Sequence, residues 1–280
     1  MIGSASAPAS SGNLGPGFDV IALALSLRCK VTAEASETMT ISEGGSTRRL
    51  APDDMIAQAV DIAVGRPMHL TVDNEIPRSR GLGSSSAVTA AAAGASMKAV
   101  GDDGGRPKVF TIVDSLEGHA DNAAAAVFGG LVVATSDGIQ RLALHESLKP
   151  VVAIPNTHLR TSTARDVLSA EVDRAIVVRS LARFAFLLQG LQDGNPEVLS
   201  QAVGDELHEA PRRELSPVTH ELMAAAHHAG ALHTCWSGAG PSALAFATAE
   251  TRGRVIGAMA GVLGTDGEVL ALEVDTEGLL

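Results

Sequence analysis

Apolar and polar positions along this chain change in short runs, and each run predicts one element. Residues 20–34, VIALALSLRCKVTAE, are dense in aliphatic side chains and end on an alternating tail, the pattern of a strand or a strand pair. Met68–Asn74, MHLTVDN, alternates as a second strand. A loop rich in glycine and serine follows it, and then SSAVTAAAAGASMKAV, where alanine's propensity and a capping Ser84 or Ser85 predict a helix. Asp102 to Pro107 reads as a turn. Val109–Leu116 begins a helix that leads into EGHADNAAAAVFGG, and LVVAT at Leu131–Thr135 is a strand after the Gly129-Gly130 break. Leu142–Ala153 ends in a strand and is the expected crossing into a second unit. Residues 162–202 read as mostly helical, residues 230–240 and their flanks as strand and loop, and Val269–Val274 as a closing strand. Strands and helices intermixed in this way predict an α/β or α+β architecture.

Composition narrows the classes of function. With 280 residues, 45% of them hydrophobic, the chain can bury one large core or two moderate ones. Its 21 basic and 32 acidic residues leave a net charge of −11, which disfavours nucleic acid and anionic membrane as partners, so a phosphate ligand needs local attraction. No apolar run reaches the ~18 residues of a membrane span, and MIGSASAPASSGN lacks the charged and apolar regions of a signal peptide, so a cytoplasmic protein is expected. Cys29 and Cys235 have no metal spacing and read as two reduced, buried thiols. Aromatic residues are only 2%, so the core must be aliphatic.

Candidate chemistry centres on PRSRGLGSSSA, residues 77–87. A glycine loop that feeds a helix N-terminus offers free N–H groups and partial positive charge to an anion, even in an acidic protein. The loop lacks the lysine of a Walker motif and the third glycine of a dinucleotide fingerprint, and on its own it reads equally as a tight turn. Two more small, polar clusters, at residues 7–19 and 236–242, suggest that the three converge on one ligand. Two other signals are set aside: His220-Glu221 is followed by Ala224, not the second histidine of a zinc helix, and WSGAG lacks the first glycine of a hydrolase elbow.

Taken in order, PASSGNLGPGFD, PRSRGLGSSSA, EGHADNAAAAVFGG and WSGAGPSAL resemble the GHMP kinase superfamily, and within it the homoserine kinases. The resemblance implies an α+β fold of two domains, residues 1–147 of ribosomal-protein-S5-like type carrying the ATP loop and residues 148–280 of ferredoxin-like type. It implies ATP and Mg²⁺ as cofactors and L-homoserine as the small-molecule substrate, with a homodimer as candidate assembly. Pro77, Arg80, Gly81, Leu82, Gly83, Ser84, Ser85 and Ser86 would cradle the nucleotide, and Ser85 with Glu117 would hold the metal. Asp121 and Asn122 would orient the acceptor hydroxyl, with Asp121 a candidate general base. The acceptor would be gripped by Asn13, Asp19, His119, Thr161, Arg165 and Arg212, beside Gly238 and Gly240. The residue types suit these roles: a carboxylate suits an ammonium group, and two arginine forks suit a carboxylate. Ser86 stands where relatives usually carry alanine or glycine, so its amide is expected to serve and its hydroxyl to be dispensable. Another small-molecule kinase of the superfamily, and a catalytically silent ligand-binding protein on the same fold, are the rival expectations.

Overall fold

The computed structural model describes residues 1–103 and 105–280; Gly104, within the expected turn at 102–107, lies outside the described residues. The first part of the chain runs β1 (Ile2–Gly12), β2 (Ile21–Ala35), β3 (Thr40–Glu43), β4 (Ser46–Arg49), α1 (Met55–Val64), β5 (Met68–Asn74), α2 (Ser84–Ala99), α3 (Gly105–Glu117), α4 (Ala120–Phe128), β6 (Leu131–Thr135) and β7 (Gly138–Leu142). Its strands form a seven-stranded sheet in the order β4-β3-β5-β2-β6-β7, with β1 also paired to β2. Every pairing is antiparallel except β3 with β5.

The second part runs β8 (Lys149–Pro155), α5 (Thr161–Asp166), α6 (Arg174–Asp193), α7 (Pro196–Ser200), α8 (Glu209–Arg212), α9 (Pro217–His228), β9 (His233–Trp236), β10 (Ala243–Ala247), α10 (Arg252–Leu263) and β11 (Gly267–Ala271). Its four strands lie antiparallel in the order β11-β8-β10-β9, the fourth beside the first and the third beside the second, as in a ferredoxin-like βαββαβ unit. The crossing expected between residues 142 and 153 is the β7–β8 connection. After β11 the chain returns to the first sheet, where Val274 bridges Leu25 and Leu280 pairs with Ser6.

Side-chain alternation explains how the two parts join. Along β10, Ala243, Ala245 and Ala247 pack under α9 and α10 with Leu222, Val255 and Met259, while Leu244 and Phe246 point the other way into the main core. Val151 and Ala153 of β8 face the helices, and Val152 and Ile154 face the first unit. The second sheet is therefore buried on both faces, and the site can lie where its edge meets the first unit.

α2 occupies the centre of the first unit. Its alanines are buried all round, packed on β1, β2, α1, α3 and α4, so the helix has no polar face to show. Burial on every side is tolerated because alanine and glycine let neighbours approach closely, which is how a chain with so few aromatics fills a core. The helix is not capped by a serine as expected; Gly83 occupies the N-cap with no side-chain cap bond. α3 and α4 are two helices, not one, separated at Gly118-His119. Helix α6 is long and apolar enough to cross a membrane by length and composition, at a mean hydropathy of 1.2. It carries Arg179 and Arg183, both paired to Glu206, and buries Leu187, Gly190 and Leu191 against the body, which fits a domain helix.

Candidate active site

The β5–α2 loop forms one wall of a cleft of about 340 Å³ between the two units. Gly81 has φ 72° and Gly83 φ 62°, conformations that side chains resist. Space forbids a side chain as well: a Cβ on Gly81 would collide with the carbonyl of Ser237, and one on Gly83 with the hydroxyl of Ser10. The first-turn amides of Ser84, Ser85 and Ser86 have no intrahelical partner, and no side chain caps them. They form, with the helix dipole, an anion-binding terminus. Ser237 Oγ donates to Gly81 O at 2.7 Å, and Ser10 N to Leu82 O at 3.1 Å, so the loop is held from both units.

Not every residue expected in this cradle lines the cleft. Pro77 and Arg80 stand outside it; Arg80 donates to the carbonyls of Pro155 (2.7 Å) and Asn156 (2.8 Å), tying the loop to the end of β8. Gly240 is also outside; it closes a turn on Ser237 and lies where a Cβ would meet the Trp236 ring at 2.5 Å. Ser85 is exposed, with its hydroxyl 3.5 Å from Met55 Sδ. Ser86, expected to offer only its amide, is 2% exposed and donates its hydroxyl to Glu117 Oε2 at 2.5 Å. That bond gives its hydroxyl a buried partner, which argues against the expectation that only its amide serves.

Glu117 ends α3 at the floor of the cleft. Burial raises its pKa, and the bond from Ser86, with Ser85 a minor contributor, pulls it back. A carboxylate beside two hydroxyls is a set of hard oxygen donors, which fits a Mg²⁺ that takes its remaining ligands from phosphate and water. At the start of α4, Asp121 is 1% exposed and accepts from Asn122 Nδ2 at 3.3 Å, while Asn122 Oδ1 accepts from Ser10 Oγ at 2.8 Å. His119 Nδ1 stands 3.4 Å from Asp121 Oδ1, close enough for ionic attraction but without hydrogen-bond alignment. The neighbouring Asp121 raises the His119 pKa, and burial opposes it.

The opposite end of the cleft carries the acceptor candidates. Asn13, Leu14 and Asp19, in the loop between β1 and β2, all have positive φ. Asn13 holds that loop shut: its Nδ2 donates to Gly238 O and its Oδ1 accepts from Asp19 N, both at 3.0 Å. Asp19 and Arg165 form a bidentate pair at 2.6 and 3.0 Å, which raises the Arg165 pKa. Thr161, the first residue of α5, lines the same end. Arg212 is 1% exposed; its Nε donates to Ala164 O at 2.9 Å, and Nη1 approaches His208 Nδ1 at 3.0 Å and Gly238 O at 3.4 Å. Burial lowers its pKa to about 10, so it remains charged.

Sequence reasoning missed four lining residues: Phe18, Met55, Ser79 and Ala239. Phe18 is the most informative, because its ring faces both guanidinium groups, at 5.5 Å from Arg165 and 5.6 Å from Arg212. An aromatic residue inside a glycine-rich motif was the available signal. Next to the cleft lies a groove of about 350 Å³, lined by Arg48, Asp54, Ile56, Arg78, Val88 and Thr89, that shares Met55, Ser79, Ser84 and Ser85 with it.

Comparison with known proteins places the chain in a family. A family model described as the GHMP kinases N terminal domain matches residues 53–130, and one described as GHMP kinases C terminal matches residues 187–263. The chain is 38% identical over 252 residues to a homoserine kinase of Moorella thermoacetica, covering 85% of each protein. It is 35% identical over 275 residues to one of Thermus thermophilus, covering 95% of this chain and 94% of that protein. A crystal structure of homoserine kinase from Cytophaga hutchinsonii superposes with a TM-score of 0.88 at 23% identity, covering all of this chain and 96% of that one, a likeness of fold. The chain therefore belongs to the GHMP kinase family, on the homoserine kinase branch of it.

Proposed function

We propose that the protein transfers the γ-phosphoryl group of ATP to the side-chain hydroxyl of L-homoserine, giving O-phospho-L-homoserine and ADP. One observation carries this reading: a single cleft has an uncapped helix N-terminus at one end and a carboxylate with two arginines at the other, a shape for a polyphosphate facing an amino-acid zwitterion. Phosphoryl transfer needs little covalent chemistry from the protein, so positioning and charge stabilisation are the work of the site.

In this scheme the amides of Gly81–Ser86 cradle the phosphates, and the nucleoside extends into the groove beside Met55, Ile56 and Val88. Glu117 with Ser86 and Ser85 would hold Mg²⁺, which would supply positive charge to offset that of the phosphates. Asp19 receives the acceptor ammonium, and Arg165 and Arg212 its carboxylate. Asn13 keeps the β1–β2 loop in the conformation that presents Asp19, and Thr161 borders the carboxylate. Asp121 and Asn122 orient the hydroxyl, and Asp121, with His119 beside it, is the candidate general base.

The test is ADP release by the purified protein with Mg-ATP across a panel of acceptors: homoserine, serine, threonine, mevalonate and galactose. Turnover dependent on homoserine is the expected result. A preference for mevalonate or a sugar overturns the acceptor, and ATP binding without turnover on any acceptor overturns the kinase.

A further inference from the structure

His208 precedes α8, fully buried, and touches neither the expected phosphate cradle nor the expected reacting groups. Its Nε2 lies 2.8 Å from the carbonyl oxygen of Gly15, and its Nδ1 lies 3.0 Å from Arg212 Nη1. A carbonyl only accepts and a guanidinium only donates, so Nε2 carries the proton and Nδ1 presents its lone pair. The imidazole also stacks on Phe18, with ring centroids 5.2 Å apart and planes 22° apart. Gly15 and Phe18 belong to the β1–β2 loop that presents Asp19, whereas Arg212 ends α8 in the other unit. One neutral ring thus joins the two halves of the acceptor end. Among the described residues, Arg212 Nε is bonded to Ala164 and Nη1 to His208 and Gly238, while no protein acceptor is bonded to Nη2 on the residue that lines the cleft.

We propose that His208 is a positioning residue for the amino-acid acceptor: as the Nε2–H tautomer it anchors on Gly15 and holds Nη1 of Arg212, which leaves Nη2 to grip the acceptor carboxylate. The inference rests on the acceptor reading given above. Burial, with the Arg212 charge, lowers the His208 pKa to about 4 against the pull of the buried Asp205 carboxylate 3.8 Å from Nε2, which agrees with a ring kept neutral beside a guanidinium. A charged imidazolium would lose the lone pair and repel Arg212. The ring geometry does what a rigid strut requires, because its two nitrogens are fixed relative to each other.

Two amide variants separate the two nitrogens. In His208→Gln the amide reaches the Nε2 position and can still donate to Gly15, but it offers nothing to Arg212. In His208→Asn the carbonyl reaches the Nδ1 position and can still accept from Arg212. His208→Gln should raise the homoserine KM about tenfold with the ATP KM unchanged, and His208→Asn should rescue it to within about threefold, as expected for one hydrogen bond to a charged group. Equal increases in both variants, or a parallel rise in the ATP KM, overturn the proposal. Nitrogen NMR of the unmutated protein, with His208 assigned through its contact with Phe18, gives a reading that does not depend on variants folding: an Nδ1–H or imidazolium form at pH 7 overturns it, and the Nε2–H form supports it. Arg212→Ala separates this proposal from its premise. If Arg212→Ala leaves the homoserine KM unchanged, the acceptor reading fails; if it raises the KM and His208→Gln does not, only the strut fails.

Discussion

Glu209 offers a quantitative test of the packing behind the site. It opens α8, is 3% exposed, and its Oε1 accepts from the backbone N–H of Trp236 at 2.8 Å. Burial pushes its carboxyl up from the ordinary 4.5 to about 8; the Trp236 bond and Arg212 oppose this, and Asp205 adds to it. Between these two values the unfolded chain releases the proton and the folded protein keeps it. The contribution is therefore full below pH 4.5 and is lost as pH rises through 8. The slope is about 1.4 kcal/mol per pH unit, so between pH 5 and pH 8 the loss is on the order of 4 kcal/mol. At roughly 2–4 °C per kcal/mol for a chain of this size, the shift is about 10 °C in Tm. Glu209→Gln keeps an oxygen for Trp236 and cannot ionise. Thermal unfolding of both proteins, followed by circular dichroism from pH 5 to 8.5, should show the variant gaining about 10 °C on the parent as pH rises. His208 and His233 are lowered to about 4 by burial and act in the opposite sense, stabilising above their ordinary 6.5 and losing that contribution as pH falls towards 4. Both proteins share them, so they cancel in the difference. Parallel Tm curves would refute the reasoning.

Three further outcomes follow from the cleft. Ser86→Ala leaves the buried Glu117 carboxylate without its 2.5 Å donor; kcat should fall about tenfold and the Mg²⁺ concentration for half-maximal rate should rise, and unchanged Mg²⁺ dependence would count against the pairing. Arg165→Lys replaces a planar fork by a point charge opposite Asp19, so the homoserine KM should rise at least about tenfold with the ATP KM unchanged; equal shifts in both constants would place Arg165 elsewhere in the cycle. Gly83→Ala forces a Cβ into Ser10 Oγ at φ 62°, at a cost of about 1–3 kcal/mol, and should weaken nucleotide binding measured by calorimetry; normal affinity would mean that the loop is not the phosphate cradle.

Much of this arrangement was legible in the sequence, and the parts that were not have physical reasons. β2, β5 and β6 announce themselves by aliphatic density, and the glycine-serine loop by residue types that only a turn or a ligand explains. β1 was invisible, because IGSASAPASSG has no bulky apolar residue beyond the exposed Ile2, yet Gly3, Ala5, Ala7 and Ala9 alternate inward beneath α2. Close packing selects small side chains there, and hydropathy does not register them. Arg212 was found from its motif, but its near-complete burial depends on His208, Ala164 and Gly238, partners brought together only by the fold. Arg80 misled for the opposite reason: a cation beside a phosphate loop suggests a phosphate ligand, but here its donors go to the carbonyls of Pro155 and Asn156.

The two arginines at the acceptor end are unequal, and their burial says how the clamp can work. The Asp19 and Arg165 side chains are 31% and 35% exposed, and a pair in that setting is worth only about 0–1 kcal/mol. An incoming zwitterion can separate them cheaply, its ammonium replacing Arg165 beside Asp19 and its carboxylate replacing Asp19 beside Arg165, so that no charge is left unpaired at any point. Arg212 cannot yield in this way, because it is buried and bonded on three sides, and breaking those bonds while it stays buried would cost a few kcal/mol. One arginine is therefore a movable counter-charge and the other a fixed reference. With the acceptor bound as proposed above, this division predicts that its binding weakens with salt through the Asp19–Arg165 half, while Arg212 would set the position of the carboxylate and with it the aim of the hydroxyl at the γ-phosphate.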